Sequence, residues 1–438
     1  MYTYIKVKNY KSLLDLEVDL TIKKNVPKNL ILIYGENGVG KSNFATIFFT
    51  LREFLLTKSY KEILEEIIEK ESENIKEKVG LKELKSLLKD TENIIKEVKT
   101  IDSKENMIIE FGFKIENKLG CYKLETDDKK IVKEKLDFTL NKNKTNIFEI
   151  DEKNIKINDK IFKKIDYKTE IEELLQQFFG KHTLLSILIS EQKNKKEGYF
   201  EEKISNEMVK ILKFFMNNSM KLKEGYYREL GSLHTNHKIL ENLKYGTIKL
   251  KNKKILERTE KLLNTFFTAM YSDIKEVFYN KVKEKDSLKY TLFLKKNLYG
   301  NLIDINFDLE STGTQSLLEL IPYIISSLEG GTVIIDEFDT GIHDIFVEHL
   351  ISNLSDINNG QLIITTHNTM LLESEIRKDS IYIFKVNQEG DKELVPITSF
   401  DERIHPNLNL RKRYLKGMYG GTPLIMNIDY DELLDTLE

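Results

Sequence analysis

Residues Asn29 to Ser42 read NLILIYGENGVGKS, and the reading of this stretch decides the fold. Asn29 to Tyr34 is a short apolar run of β-forming residues. Gly35-Glu36-Asn37-Gly38-Val39-Gly40-Lys41-Ser42 follows it as G-x-x-x-x-G-K-S, and Asn43 to Leu51 reads as the start of a helix. Strand, glycine-rich loop and helix thus come in the order of a phosphate-binding loop. Gly35, Gly38 and Gly40 let the backbone curl with its N–H groups inward, which makes a nest for a polyphosphate at a helix N-terminus. There Lys41 would reach the β- and γ-phosphates and the Ser42 hydroxyl would ligate Mg²⁺, with Asn37 and Asn43 as further nucleotide-binding positions. A mere Gly-rich turn would need neither the flanking strand nor the helix.

The chain has 438 residues, enough for two or three domains, and its 40% hydrophobic content suffices for a globular core. Lys and Arg number 68 against 71 Asp and Glu, a net charge of −3, so there is no global attraction to nucleic acid and any such contact must be local. The start, MYTYIKVKNYKS, has no apolar run of signal-peptide type, and no stretch approaches the roughly 18 apolar residues of a membrane span. A single cysteine, Cys121, excludes an internal disulfide and a cysteine-based metal site. These features predict a soluble, cytoplasmic protein with no membrane partner.

Residues 1 to 20 alternate apolar and polar around Asn9-Tyr10-Lys11-Ser12, which predicts two strands joined by a turn, expected in the nucleotide-binding sheet. From Leu51 to Thr100, apolar positions such as Ile63, Leu64, Ile67, Ile68, Ile94, Ile95 and Val98 recur at helical spacing, and Gly80 breaks the pattern into a helical hairpin. Short β runs from Asn106 to about Ile157 predict an antiparallel sheet. Helical patterning returns at Glu170 to Phe179, across Ile204 to Phe215, and from Ile255 to Val282. Lys203 to Lys296 holds 21 Lys plus Arg against 10 Asp plus Glu. That local excess could meet a phosphate backbone or be a solvated face in a Lys-rich chain. His234 and His237 have no carboxylate or cysteine nearby, which speaks against a metal site.

Gly331 to Asp339 reads GTVIIDEFD, an apolar β run that ends in adjacent carboxylates. Such an ending is costly unless a cation or a reacting group receives the charges. Asp336 would hold Mg²⁺, and Glu337 is placed to act as general base for a water attacking the γ-phosphate. A second apolar strand, Gln361 to Thr366, delivers His367, which could bond the γ-phosphate or position the water. Upstream, Ser311-Thr312-Gly313-Thr314-Gln315 opens a helix, and Ser311 with the Gly313 and Thr314 amides forms a second anion site at its N-terminus. Pro322 is expected to kink that helix.

This order of a phosphate loop, a distant Ser-x-Gly-Thr helix cap, an Asp-Glu strand and a strand-borne His resembles the ABC-ATPase superfamily, over residues 1 to 50 and 300 to 385. The resemblance implies an ATP-binding α/β head. In it, the cap of one subunit, here Ser311, Gly313 and Thr314, closes on the ATP of the other, so that hydrolysis needs a dimer. STGTQ departs from the transporter signature LSGGQ and looks like the version in RecF-like, SMC-like and OLD-like proteins. Within that branch GENGVGKSN, IDEFDTGIHD, Ile376 to Phe384 and the C-terminal RYLKGMYGGTP resemble abortive-infection ATP-binding proteins of the Rlo and AbiL type.

About 70 residues follow His367, and they lack the carboxylate strands of the nuclease domain carried by OLD-like proteins. The roughly 270 residues between Lys41 and Ser311 are too short and irregular for a long SMC-type coiled coil. No glutamine can be assigned as the γ-phosphate sensor. The expected architecture is an α/β P-loop NTPase. Its ABC-ATPase head is split over 1–50, 105–200 and 300–438 and includes an antiparallel β subdomain; a helical hairpin at 51–104 and a Lys-rich helical insertion at 201–299 interrupt it. The expected function is a Mg²⁺-dependent ATPase that gates a separately encoded effector, a nuclease being one candidate, in anti-phage defence. The competing expectation is a RecF-like repair ATPase that grips duplex DNA through 203–296.

Overall fold

The structure is a computed structural model that describes residues 1–71, 88–196, 198–224, 228–233, 238–387, 389–400, 408–422, 428 and 430–437. Leu30–Tyr34 forms a central strand with every residue buried. Across the seven-stranded sheet the order is Arg228–Ser232, Asn218–Glu224, Thr332–Ile335, Gln361–Thr365, Leu30–Tyr34, Ile381–Val386 and Lys392–Pro396. The five inner strands run parallel and the two edges antiparallel. Alternation puts Ile31 and Ile33 into one core cluster and Leu30, Leu32 and Tyr34 into the other, so both faces are covered. Each such side chain, fully buried, contributes roughly 1.5–3 kcal/mol.

One face carries the long helix Lys41–Glu71, and beyond it a second seven-stranded sheet, all antiparallel. The expected β segment between 106 and 157 is found there as Met107–Ile115, Lys118–Thr126, Ile131–Leu140, Asn143–Asp151 and Ile155–Ile157. The N-terminal hairpin, Tyr2–Tyr10 and Leu13–Asp19, also joins this sheet by pairing with Met107–Ile115, and not the nucleotide-binding sheet as its position in the chain suggested. Side-chain hydrogen bonds tie it to the parallel sheet: the Tyr2 N–H donates to Gln361 Oε1, Gln361 Nε2 donates back to the Tyr2 carbonyl, and Asn218 Nδ2 donates to the Tyr2 hydroxyl. Helices Ile165–Phe178 and Asn206–Met216 occur close to where apolar spacing placed them. Ile94, Ile95 and Val98 lie on the helix Thr91–Val98; Gly80 falls outside the described residues.

The Lys-rich segment differs most from its helical reading. The helix Lys253–Met270 stops, and Ile274–Glu284 is a strand paired with Ser287–Leu298, itself paired with Tyr245–Lys249 and Asn301–Asn306. Ile274, Val277 and Phe278 fit a helical period, yet a register shift between Ile274 and Glu276 lets Ile274, Val277 and Tyr279 face the core from a strand. Earlier in the same segment, Asn218–Glu224 runs parallel to Thr332–Ile335 and extends the main sheet. Pro322 lies inside the helix Thr312–Leu328.

Candidate functional site

The parallel strands end level: Ile33 pairs with Thr365, Ile335 with Ile364, and Lys221 with Ile335. The loops that leave these carboxyl ends therefore meet at one edge, where open α/β sheets place ligands. The phosphate loop turns there on Gly38 (φ +79°) and Gly40 (φ +121°), values that an L side chain rarely adopts. Lys41, 6% exposed, folds back over the loop and donates to the carbonyls of Gly35 (2.8 Å) and Glu36 (2.9 Å). Burial lowers its pKa, against the pull of Asp336, Glu337 and Asp339. From below, Tyr414 accepts a hydrogen bond from the Gly35 backbone, donates to the Gly421 carbonyl at 2.9 Å, and meets the Tyr34 ring edge-on. The C-terminal motif thus floors the loop.

Asp336 is 5% exposed, and burial raises its pKa. Its Oδ1 accepts from the Thr365 hydroxyl and its carboxylate is hydrogen-bonded to the Ser42 side chain; Oδ2 is buried with no partner among the described residues. A bare carboxylate oxygen beside a Ser hydroxyl is a hard-oxygen donor set, and it fits Mg²⁺. Glu337 sits at φ +51°. Its N–H donates to Thr365 Oγ1 at 2.7 Å, and its Oε2 accepts from Lys223 Nζ at 2.7 Å and from Thr340 Oγ1 at 3.1 Å. Burial pushes the Glu337 pKa up, but Lys223 and Thr340 outweigh it and the net is a lowering. The His367 N–H donates to Asp339 Oδ2 at 3.1 Å, while burial and the nearby Lys41 lower the imidazole pKa.

The structure therefore brings Lys41 and Ser42 together with Asp336, Glu337 and His367, with Gly35, Asn37, Gly38, Gly40 and Asn43 in the same loop and first helical turn. It holds Ser311, Gly313 and Thr314 apart. Ser311 caps the helix Thr312–Leu328, accepting from the Thr314 N–H at 3.2 Å and sharing a hydrogen bond with its hydroxyl at 2.9 Å. Gly313 faces the loop after the Asp-Glu pair so closely that a Cβ there would lie 2.7 Å from the Gly341 carbonyl oxygen. No hydrogen bond among the described residues joins this cap to Lys41, Ser42 or Asp336.

Several residues were missed by sequence reasoning. Thr365, the last residue of its strand, bridges Asp336 and Glu337; its place directly before Thr366-His367 was the available signal. Lys223 and Asp339 had none beyond being charged. His234 and His237 lie outside the described residues, and no cluster of three metal-ligating side chains occurs among those described. Cys121 is a strand residue whose thiol pKa burial pushes up to about 11. No helix among the described residues is long and apolar enough to cross a membrane.

A phosphate loop on the central strand, an Asp-Glu strand, and between them the strand that delivers His367 define a P-loop ATPase of the ABC-like class. Residues 30–373 match the family described as "AAA domain, putative AbiEii toxin, Type IV TA system", and the chain belongs to that family. No curated protein matches it. Among solved structures it is similar to an SMC head bound to the C-winged helix domain of ScpA, at 13% identity, covering 94% of this chain and 99% of that one with a TM-score of 0.42. It is similar also to the SMC head domain of Thermotoga maritima (12% identity, 90% and 98% covered, TM-score 0.39). A third is the Pyrococcus furiosus SMC head bound to the C-terminal domain of ScpA (12%, 95% and 99%, TM-score 0.41).

Proposed function

We propose that this ATPase hydrolyses Mg²⁺-ATP in a site completed by a second copy of itself, and that closure of the pair gates a separately encoded effector in defence against phage. The observation that carries the reading is the separation within one chain: Lys41, Asp336, Glu337 and His367 share one edge, while the Ser311 cap stands apart against Gly341. In this reading the amides of Gly38, Gly40, Lys41, Ser42 and Asn43 hold the phosphates and Lys41 exchanges its two carbonyl partners for phosphate oxygens. Ser42 and Asp336 hold Mg²⁺, which when bound neutralises charge on the phosphates. Glu337 takes the proton of the attacking water, His367 orients that water, and Ser311, Gly313 and Thr314 of the other copy cover the nucleotide.

The family's description names a putative toxin of a Type IV TA system, which supports action alongside a second component; defence and a place in the cytoplasm belong to the same proposal. The division into a split head (1–50, 105–200, 300–438) with insertions at 51–104 and 201–299 belongs to the same reading. The Lys-rich segment gives little support to a direct grip on DNA, because several of its lysines already face carboxylates: Lys281 with Glu260, Lys295 with Glu276, Lys296 with Asp273 and Glu310. The test is the mass and composition of the complex purified from the native operon, carrying Glu337→Gln, with and without Mg-ATP. A neighbour-encoded protein gained or lost with ATP supports the gated effector. A lone chain that dimerises with ATP and retains DNA overturns it in favour of the repair reading.

A further inference from the structure

A second lysine reaches the phosphate loop from the far end of the chain. Lys392 opens the edge strand Lys392–Pro396, and its ammonium donates to Ser12 Oγ at 2.7 Å and to the Gly38 carbonyl at 3.4 Å. A Cβ on Gly40 would lie 3.8 Å from that ammonium. Ser12, in the turn between the first two strands, accepts also from Asn43 Nδ2 at 2.7 Å. Lys392, Ser12 and Asn43 thus form one hydrogen-bonded chain along the side of the loop away from Gly35 and Glu36, where the Lys41 ammonium rests.

No carboxylate pairs with Lys392 among the described residues, and the one resolved influence on its pKa is burial, which lowers it. Its third donor position is not matched to a protein acceptor in any hydrogen bond of the described residues. A half-buried ammonium set beside a nest of amide N–H groups, with no carboxylate paired to it among the described residues, is left without a counter-charge. That arrangement is costly unless an anion enters between them. We propose that Lys392 is a second phosphate-binding lysine, which contacts the α- and β-phosphates of the nucleotide while Lys41 serves the β- and γ-phosphates.

The assignment to α and β follows from position. Loop amides cradle the α- and β-phosphates, and Lys392 lies against Gly38 and Gly40 of that same cradle, linked through Ser12 to Asn43 in the first helical turn. ADP and ATP share these phosphates. Lys392 therefore contributes equally to both, in ground state and transition state alike, and its loss raises KM without lowering turnover at saturation. This rests on the phosphate loop being the nucleotide site.

The test is calorimetric titration of MgADP and MgATP into the full chain and its Lys392→Gln and Lys392→Arg variants, with steady-state hydrolysis alongside. Lys392→Gln weakens ADP and ATP by a common factor of about ten, the loss of one charge-assisted hydrogen bond, and raises KM to match with kcat retained. Lys392→Arg recovers most of the affinity. In the unsubstituted chain, MgADP protects Lys392 from acetylation by acetic anhydride, which reads the contact without any substitution. Affinities within twofold of the parent, or a fall in kcat with affinities unchanged, overturn the proposal, as does equal acetylation with and without ADP. An unsubstituted chain that binds neither nucleotide overturns the phosphate-loop reading itself, which is a different result.

Discussion

Lys223 Nζ lies 2.7 Å from Glu337 Oε2, so the carboxylate proposed to activate water is already ion-paired to a lysine of the neighbouring parallel strand. The pair is substantially exposed, at 44% and 37% for the two side chains, and an exposed pair is worth roughly 1 kcal/mol at most. Lys223→Met is expected to free Glu337 and to raise kcat by no more than about fivefold, with nucleotide affinity and melting temperature nearly unchanged. Steady-state kinetics beside a titration checks this; a fall in kcat would mean that Lys223 positions Glu337 and does not restrain it.

Substitutions at Lys41 and Glu337 are expected to separate binding from hydrolysis. Lys41→Ala removes the ammonium that rests on the Gly35 and Glu36 carbonyls, and ATP affinity should drop by about 100-fold or more, since several charge-assisted contacts are lost together. Glu337→Gln should bind ATP normally, hydrolyse it about 10²–10⁴-fold more slowly, and accumulate as a dimer visible by light scattering. Normal affinity in the first variant would refute the phosphate-loop assignment; a fully active, monomeric second variant would refute the composite site.

Gly313→Ala tests the cap without touching the phosphate loop. The added methyl would meet the Gly341 carbonyl oxygen at 2.7 Å, so the cap and the loop after Glu337 must move apart. Nucleotide affinity of the isolated chain should be unaffected, while ATP-dependent dimerisation and hydrolysis should fall at least about tenfold. Undiminished hydrolysis would exclude a role for this cap in the working site.

Glu134 makes the stability of the antiparallel sheet depend on pH. It is fully buried and accepts from the Tyr122 hydroxyl and the Leu184 and Leu185 amides, and burial still pushes its pKa up to about 7. The folded state thus holds this proton more tightly than the unfolded chain. Its contribution is fully present below the unfolded value and falls as pH rises from about 4.5 to about 7, by about 3 kcal/mol in all. Relative to Glu134→Gln, which cannot ionise, the parent should be more stable at pH 5 than at pH 8, as denaturant melts at the two pH values will reveal. A difference that is independent of pH would sink the assignment.

Local pattern carried the elements of the candidate site. The phosphate loop, the Asp-Glu strand, the strand before His367 and the Ser311 cap are each specified within about ten residues, and each forms where its residues stand. Apolar runs also marked the antiparallel sheet. The segment after Met270 was less legible, since Ile274, Val277 and Phe278 satisfy a helical period as well as a bulged strand, and the partner Ser287–Leu298 decides between them. The N-terminal hairpin has the same ambiguity at a larger scale: alternation shows that it is β but not which sheet it joins.

By itself, the sequence determined where the candidate site's loop, carboxylates and histidine stand, because those depend on residue order along a few turns of backbone. Only the tertiary structure decided what surrounds them. Lys223 meets Glu337 across 114 residues and Lys392 meets Ser12 across 380, and neither pairing leaves a local trace. The first follows from strand order in the parallel sheet and the second from the meeting of the two sheets, both set by how apolar faces can be buried together and not by any short stretch of chain.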